Sequence, residues 1–345
     1  MAGRLYAYAS VSAKIRAMAR ALLTQNDYKQ LLSKNSVREI AAYLKSNTSY
    51  ASVLHDVLET DIHRSRLESL LRLSSMEEFS RLIGFTSGDN KKFLRIFIIG
   101  YEIELIKLMI RTVNREMKLS INVSDYYEKH MTIDVDKLFA AQNFVGVIES
   151  LKDTQYEKVL SPFLKGTDYL NIFNIEMTLD VYYYKVAWSL KDKLLKGEDK
   201  ALVADTLGRE IDLLNLMFII RSKRYYQTSK EYMYAFILPI RYKLTEKQIK
   251  LILEAPTVEQ SMELIETTAY KGIFKNDPGR YMEEEYHRYN YHNQYKNFRQ
   301  NPYTIGALIG YMHIKELEIR NLVMIIEGIR YNQEKEIIEK YLVGR

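Results

Sequence analysis

The chain has 345 residues, of which only 5 are Pro and 14 are Gly, about half the share these two take in average proteins; an all-β sandwich, a collagen-like chain and a Pro-rich linker are excluded. An apolar fraction of 47% with 27% charged residues describes an ordinary globular chain rather than a disordered one. A net charge of +6 spread over 50 basic and 44 acidic side chains permits an anionic partner without demanding one, and zero cysteines exclude disulfides, thiolate chemistry, zinc ribbons and iron–sulfur clusters.

In chain order, the first segment is mixed in polarity, with Lys14, Arg16 and Arg20 and no apolar run of secretory-signal length. All five prolines (Pro162, Pro239, Pro256, Pro278, Pro302) lie beyond residue 161, so nothing before it imposes the break that Pro puts on a helix. Val37, Ile40, Ala41 and Leu44 form the first amphipathic stripe, and Tyr50 follows in Thr48-Ser49-Tyr50-Ala51-Ser52-Val53-Leu54. The greasiest stretch, Ile96 to Ile110, is cut by Glu102, Glu104 and Lys107 and is too short and too charged to span a membrane. A soluble, cytoplasmic chain is expected.

Both features recur. The stripe returns as Phe144, Val147, Ile148, Leu151 and as Val258, Ser261, Met262, Ile265, the i, i+3, i+4, i+7 spacing of a helix buried on one face. Tyr156 and Tyr270 stand in matching heptapeptides, Thr154 to Leu160 and Thr268 to Phe274. Glu102-Ile103-Glu104-Leu105-Ile106-Lys107-Leu108 aligns without gaps with Glu210-Ile211-Asp212-Leu213-Leu214-Asn215-Leu216 and with Glu316-Leu317-Glu318-Ile319-Arg320-Asn321-Leu322, copies 108 and then 106 residues apart. Two motifs at one period predict an all-α fold of three pseudo-equivalent helical modules, 1–125, 126–235 and 236–345. The repeat positions Glu102, Glu210, Glu316, Tyr50, Tyr156 and Tyr270 are its markers. In each module the amphipathic helix is expected at a surface. The Glu-bearing helix is expected buried, with acids at its start and Arg111, Arg221 or Arg330 at its end. Pro302 is placed in the first turn of the last long helix.

No catalytic motif is present: Walker A, GxGxxG, HExxH, GxSxG and EF-hand patterns are all missing. Glu283 and His287, four apart and near His292, are the nearest approach to a metal site, and a solvated charge pair is the preferred reading. Asp134 and Asp136 lack the glycine and terminal Glu of a calcium loop. Glu102 and Glu104, two apart, point about 200° away from each other on a helix, so one helix alone supplies no acid/base pair; pairing with nearby Lys or Arg is the expected use of the repeat acids. No catalytic, cofactor-binding or metal residue is assigned. The 28 tyrosines cluster at Tyr182-Tyr183-Tyr184, at Tyr225-Tyr226 and along Tyr281, Tyr286, Tyr289, Tyr291 and Tyr295, interleaved with Arg280, Arg288, Lys296 and Arg299. A nucleic-acid-binding scaffold is therefore the alternative function, against tyrosines that bridge a helical core and its wet rim. A helical enzyme would need an acidic metal motif or a cofactor lysine.

Leu5-Tyr6-Ala7-Tyr8-Ala9-Ser10 with Ile15-Arg16-Ala17-Met18, Glu210 to Asn215 leading to Ile220-Arg221-Ser222-Lys223, and above all Asn301-Pro302-Tyr303-Thr304-Ile305-Gly306 continuing through Tyr311, Lys315-Glu316, Glu318 and Arg320-Asn321-Leu322 resemble the C subunit of the archaeal and bacterial V-type (A-type) rotary ATPase, whose eukaryotic counterpart is the d subunit of the vacuolar ATPase. The resemblance runs the length of the chain and departs at Ser12-Ala13-Lys14, where the family commonly has an Ala-Arg pair. It implies a funnel of three modules around a pseudo-threefold axis and a non-catalytic component of the central stalk, part of the rotor. Its implied partners are the rotor-shaft subunits and the cytoplasmic loops of the membrane ion-carrying ring. It implies no cofactor and no nucleic acid, a peripheral place on the cytoplasmic face of the membrane, and torque transmission for ATP-coupled proton or sodium transport.

Overall fold

Periodic apolar stripes and sparse turn formers give helices throughout the computed structural model, which describes residues 2–57, 62–115, 131–165, 171–226, 228–274 and 282–344, with side chains from residue 8 onward. Pro278, Arg280, Tyr281, the side chains of Leu5, Tyr6 and Ala7 and the expected module boundary after residue 125 lie outside these residues. Among them every regular element is helical. They divide into two compact units, residues 68–194 and residues 1–67 together with 195–345.

The chain begins with α1 (Ala2–Ala19), α2 (Gln25–Leu32), α3 (Val37–Asn47) and α4 (Ala51–Leu54), followed by α5 (Arg64–Gly84). Thr24 opens α2 through a reciprocal capping box with Asp27, which satisfies two backbone donors that a helix start otherwise leaves bare. Ser36 caps α3. The predicted stripe is buried as Ile40, Ala41 and Leu44, at about 1.5–3 kcal/mol for each large aliphatic taken out of water.

Within residues 68–194 come α6 (Gly88–Leu94), α7 (Ile96–Asn114), α8 (Val135–Ala140), α9 (Phe144–Ser150), α10 (Gln155–Leu160) and α11 (Ile172–Leu194). The side chains of Asp134, Asn143 and Thr154 cap α8, α9 and α10, so Asp134 is a helix cap. The second stripe buries Val147, Ile148 and Leu151. Residues 195–345 add α12 (Gly197–Arg221), which runs into a π turn at Ser222–Tyr226, then α13 (Lys230–Phe236), α14 (Glu246–Glu254), α15 (Val258–Ile265), α16 (Met282–Gln300), α17 (Ile305–Arg330) and α18 (Lys335–Tyr341). Thr245 builds a capping box with Gln248 on α14, and the third stripe buries Ser261, Met262 and Ile265 on α15.

The Glu-bearing helices α7, α12 and α17 are the most buried elements, and Arg111, Arg221 and Arg330 lie in their last turns as expected. Their starts differ from expectation. Neither α7 nor α17 carries an acid in its first turn, and the repeat acids lie within the helices. At α17 the role passes to another helix: Asp199, in the first turn of α12, accepts from Ile305 N at 3.0 Å and from Tyr8 Oη of α1 at 2.7 Å. Pro302 also lies elsewhere than expected. It sits in the four-residue link between α16 and α17, and Thr304, in extended conformation, is the residue before the helix. Helices α16 and α17 pack closely because Gly310 lacks a side chain: a Cβ there would lie 2.6 Å from Gln294 O and 3.0 Å from Phe298 N.

Candidate functional site

Each repeat tyrosine ends in the same kind of place. Tyr156 Oη donates to Glu102 Oε2 at 2.5 Å, Tyr270 Oη to Asp212 Oδ2 at 2.8 Å, and Tyr50 Oη to Glu318 Oε1 at 2.8 Å. All three acids are buried, at 1%, 0% and 5% exposure, within α7, α12 and α17. A threonine two residues ahead holds each tyrosine's turn: Thr48, Thr154 and Thr268 donate to the carbonyls of Leu44, Leu151 and Ile265.

Each acid also takes a backbone donor from one or two residues ahead of a helix cap. Glu318 accepts from Leu23 N at 2.5 Å, next to the cap Thr24. Asp212 accepts from Leu244 N at 3.0 Å and Lys243 N at 2.7 Å, next to the cap Thr245. Glu102 accepts from the backbone N and the hydroxyl of Thr132, two residues before the cap Asp134. One carboxylate thus ties three pieces of chain: its own long helix, the entry to a capped helix, and the tyrosine that follows the next helix. Burial of the Asp212 carboxyl raises its pKa above the usual Asp value although its donors pull the other way. Burial first, and then the facing carboxylate, raises the pKa of Tyr156 and of Tyr270.

The sequence motifs locate the tyrosines, but the ungapped acid alignment does not pick out the acids that hold them. Glu102 is the tyrosine's partner in α7, whereas in α12 and α17 the partner is the second acid of the pair. Glu210 instead accepts from Tyr286 Oη at 3.2 Å, and Glu316 is 40% exposed with His313 Nδ1 at 3.6 Å. In α7 the second acid, Glu104, takes the expected cation: Lys107 Nζ lies 3.0 Å from it and 2.5 Å from Asp180. Glu318 has a cation too, because buried Lys315 contacts it at 3.0 Å and lies 4.3 Å over the Tyr50 ring.

Two further positions escaped the sequence reading. Asn321 clamps the backbone of Val343, donating from Nδ2 to O at 2.7 Å and accepting at Oδ1 from N at 3.1 Å. Asn215 does the same to Leu238, at 3.1 and 2.8 Å. These asparagines are aligned in the repeat, so their shared amide was the available signal. The repeated Leu-Thr pairs Leu23-Thr24 and Leu244-Thr245, each three residues ahead of Asp27 or Gln248, were another. Lys223, in the π turn, explains the polar residue in the third stripe: its Nζ donates to Ile252 O, Ala255 O and Ser261 Oγ at 2.9, 2.6 and 2.8 Å, and burial lowers its pKa to about 8.

Among the described residues no group of three His, Cys, Asp or Glu side chains is placed to hold a metal ion. Glu283 lies 3.9 Å from both His287 Nε2 and Arg221 Nη1, the geometry of an ion pair. Other tyrosines join the same polar packing: Tyr289 Oη accepts from Arg209, and Tyr242 Oη donates to Asp205 at 2.8 Å. Tyr225 and Tyr226 are exposed.

The buried acids, amides and tyrosines hold backbone to backbone, which defines an all-helical scaffold tied together by a polar core. A family model described as ATP synthase (C/AC39) subunit matches residues 11–341, and the chain belongs to that family: it is an accessory, non-catalytic part of a rotary ATPase. Among relatives that are C subunits of A-type ATP synthases, that of Methanosphaera stadtmanae is 24% identical, covering 94% of this chain and 84% of the relative. That of Methanocaldococcus jannaschii is 24% identical, covering 98% and 86%, and that of Methanobrevibacter smithii is 26% identical, covering 94% and 85%. Among the described residues no helix is long and apolar enough to cross a membrane.

Proposed function

We propose that this chain is the central-stalk adaptor of a V/A-type rotary ATPase, joining the rotor shaft to the cytoplasmic loops of the membrane ion-carrying ring and passing torque between ATP turnover and proton or sodium movement. It works as a peripheral component on the cytoplasmic face, built as three modules, 1–125, 126–235 and 236–345, in a funnel around a pseudo-threefold axis. The observation that carries this reading is the order of the tyrosine clamps. Tyr156 and Tyr270 each reach an acid of the Glu-bearing helix that precedes them, α7 or α12, and Tyr50 reaches Glu318 of the third, α17. That order supports reading the chain as a cyclic set of three.

A torque-bearing spacer has to resist shear. Buried tyrosine–carboxylate clamps supply that resistance, since breaking one strands polar groups away from water. Among the clustered tyrosines, Tyr286 is bonded to Glu210 and Tyr289 to Arg209, which disfavours a stacking platform there and with it the nucleic-acid alternative. Contacts with the ring must be reversible if the soluble and membrane sectors are to separate, and charge-matched rims suit that demand. Pull-down of purified shaft subunits and of the detergent-solubilised ring tests the reading. Binding to both is expected, weakening as salt rises, and failure to bind either one refutes the adaptor.

A further inference from the structure

A cleft of ≈ 250 Å³ lies between α1, α16 and the start of α17, lined by Ser12, Ile15, Arg16, Phe298, Arg299, Pro302 and Ala307. Its floor is apolar: Ile15 and Ala307 are buried, at 2% and 3% exposure. Arg16 and Arg299 are both exposed and supply its charge. Some other arginines of the chain pair with an acid, among them Arg64 with Glu327, Arg111 with Glu176, Arg209 with Asp205 and Arg320 with Glu284. Among the described residues neither Arg16 nor Arg299 has a carboxylate partner; Arg299 Nη1 instead donates to Tyr295 Oη at 3.3 Å, and its guanidinium lies 5.8 Å from that ring's centre. The sequence gives these two no local acid, because residues 1–26 and 286–315 contain no Asp or Glu while holding Lys14, Arg20, Arg288 and Lys296 as well.

We propose that this cleft receives an acidic segment of a partner protein, one carboxylate held between Arg16 and Arg299 and a neighbouring aliphatic or aromatic side chain seated on Ile15, Phe298, Pro302 and Ala307. The guanidinium fork matches a carboxylate bidentately, and the ring of Tyr295 keeps that of Arg299 in place. A flat membrane surface is matched by many cations projecting from one plane, whereas two guanidiniums over a small apolar floor match a single carboxylate with an apolar neighbour. The inference rests on the adaptor reading, since it names where one of that adaptor's protein contacts is made.

The test compares the wild-type chain with the double variants Arg16→Gln/Arg299→Gln and Arg16→Lys/Arg299→Lys. Affinity is measured for the purified shaft subunits, for the detergent-solubilised ring, and for vesicles containing phosphatidylserine. Circular dichroism and melting temperature should match the wild type, because both side chains are exposed. The Gln pair is expected to weaken one of the two protein interactions by about tenfold or more and to flatten its salt dependence. The Lys pair should fall short of the wild type, since an ammonium cannot reproduce the fork. If wild-type affinity for both protein partners survives the Gln pair, or if the Lys pair behaves as the wild type, the cleft proposal fails and the adaptor stands. The cleft proposal also fails if the Gln pair weakens only vesicle binding. If the wild type fails to bind either protein, the adaptor reading fails and takes the cleft with it.

Discussion

Asp212 is the sharpest place to test whether these clamps hold the fold. Replacing it with Ala removes the acceptor of Tyr270 Oη, Lys243 N and Leu244 N at once, in a site with no exposure of either Asp212 or Tyr270. Hydrogen bonds to a charged group contribute about 1.5–3 kcal/mol each, and a buried donor left bare costs about 1–3 kcal/mol. Allowing for water entering the gap, Asp212→Ala should cost about 4–6 kcal/mol, a large part of the roughly 5–15 kcal/mol that holds an ordinary domain. Tyr270→Phe strands nothing on the backbone and should cost about 1–2 kcal/mol. Asp212→Asn keeps an acceptor and avoids burying a charge, so its cost should lie well below that of Ala. The sign of the pH effect follows from the raised Asp212 pKa. The folded state holds the proton above the pH at which the unfolded chain releases it, so this group's contribution is full below the ordinary Asp value and is lost as pH rises through the raised one. Urea titration followed by circular dichroism across that acidic range measures both effects. The reasoning is refuted if Asp212→Ala costs no more than Tyr270→Phe, or if Asp212→Asn retains the wild type's loss of stability across that window.

Three further outcomes are expected. Tyr156→Phe should destabilise residues 68–194 by about 1–2 kcal/mol, seen as an earlier urea midpoint in the fluorescence of Trp188, the sole tryptophan of the chain. Asn321→Ala releases both hydrogen bonds to Val343; faster hydrogen exchange at Leu342 and Val343 should accompany a loss of about 2 kcal/mol, and unchanged exchange there would count against the clamp. Gly310→Ala normally favours a helix by about 1 kcal/mol, but here a Cβ would press on Gln294 O and Phe298 N. A net cost of about 1–3 kcal/mol is therefore expected, and a raised melting temperature would show that the helices can part without strain.

What was legible in the sequence is what local spacing controls. Few Gly and Pro, three amphipathic stripes and three Thr-x-Tyr turns specify helices and the face each one buries, because 3.6-residue periodicity acts within a single element. The buried character of α7, α12 and α17 and the arginines in their last turns were readable for the same reason. Only the tertiary structure decided which acid of each pair is locked. Glu102 and Glu104, Glu210 and Asp212, and Glu316 and Glu318 are equally compatible with a helix and point away from each other on it, so the choice belongs to the neighbour that supplies Tyr156, Tyr270 or Tyr50. The same holds for Asp199, which serves the start of α17 from another helix, and for Pro302, which sits in the link because Asp199 and the α16 packing set where α17 begins. The closure of Tyr50 onto Glu318 joins residues 268 apart in the sequence, and no local pattern encodes a contact between partners so far apart.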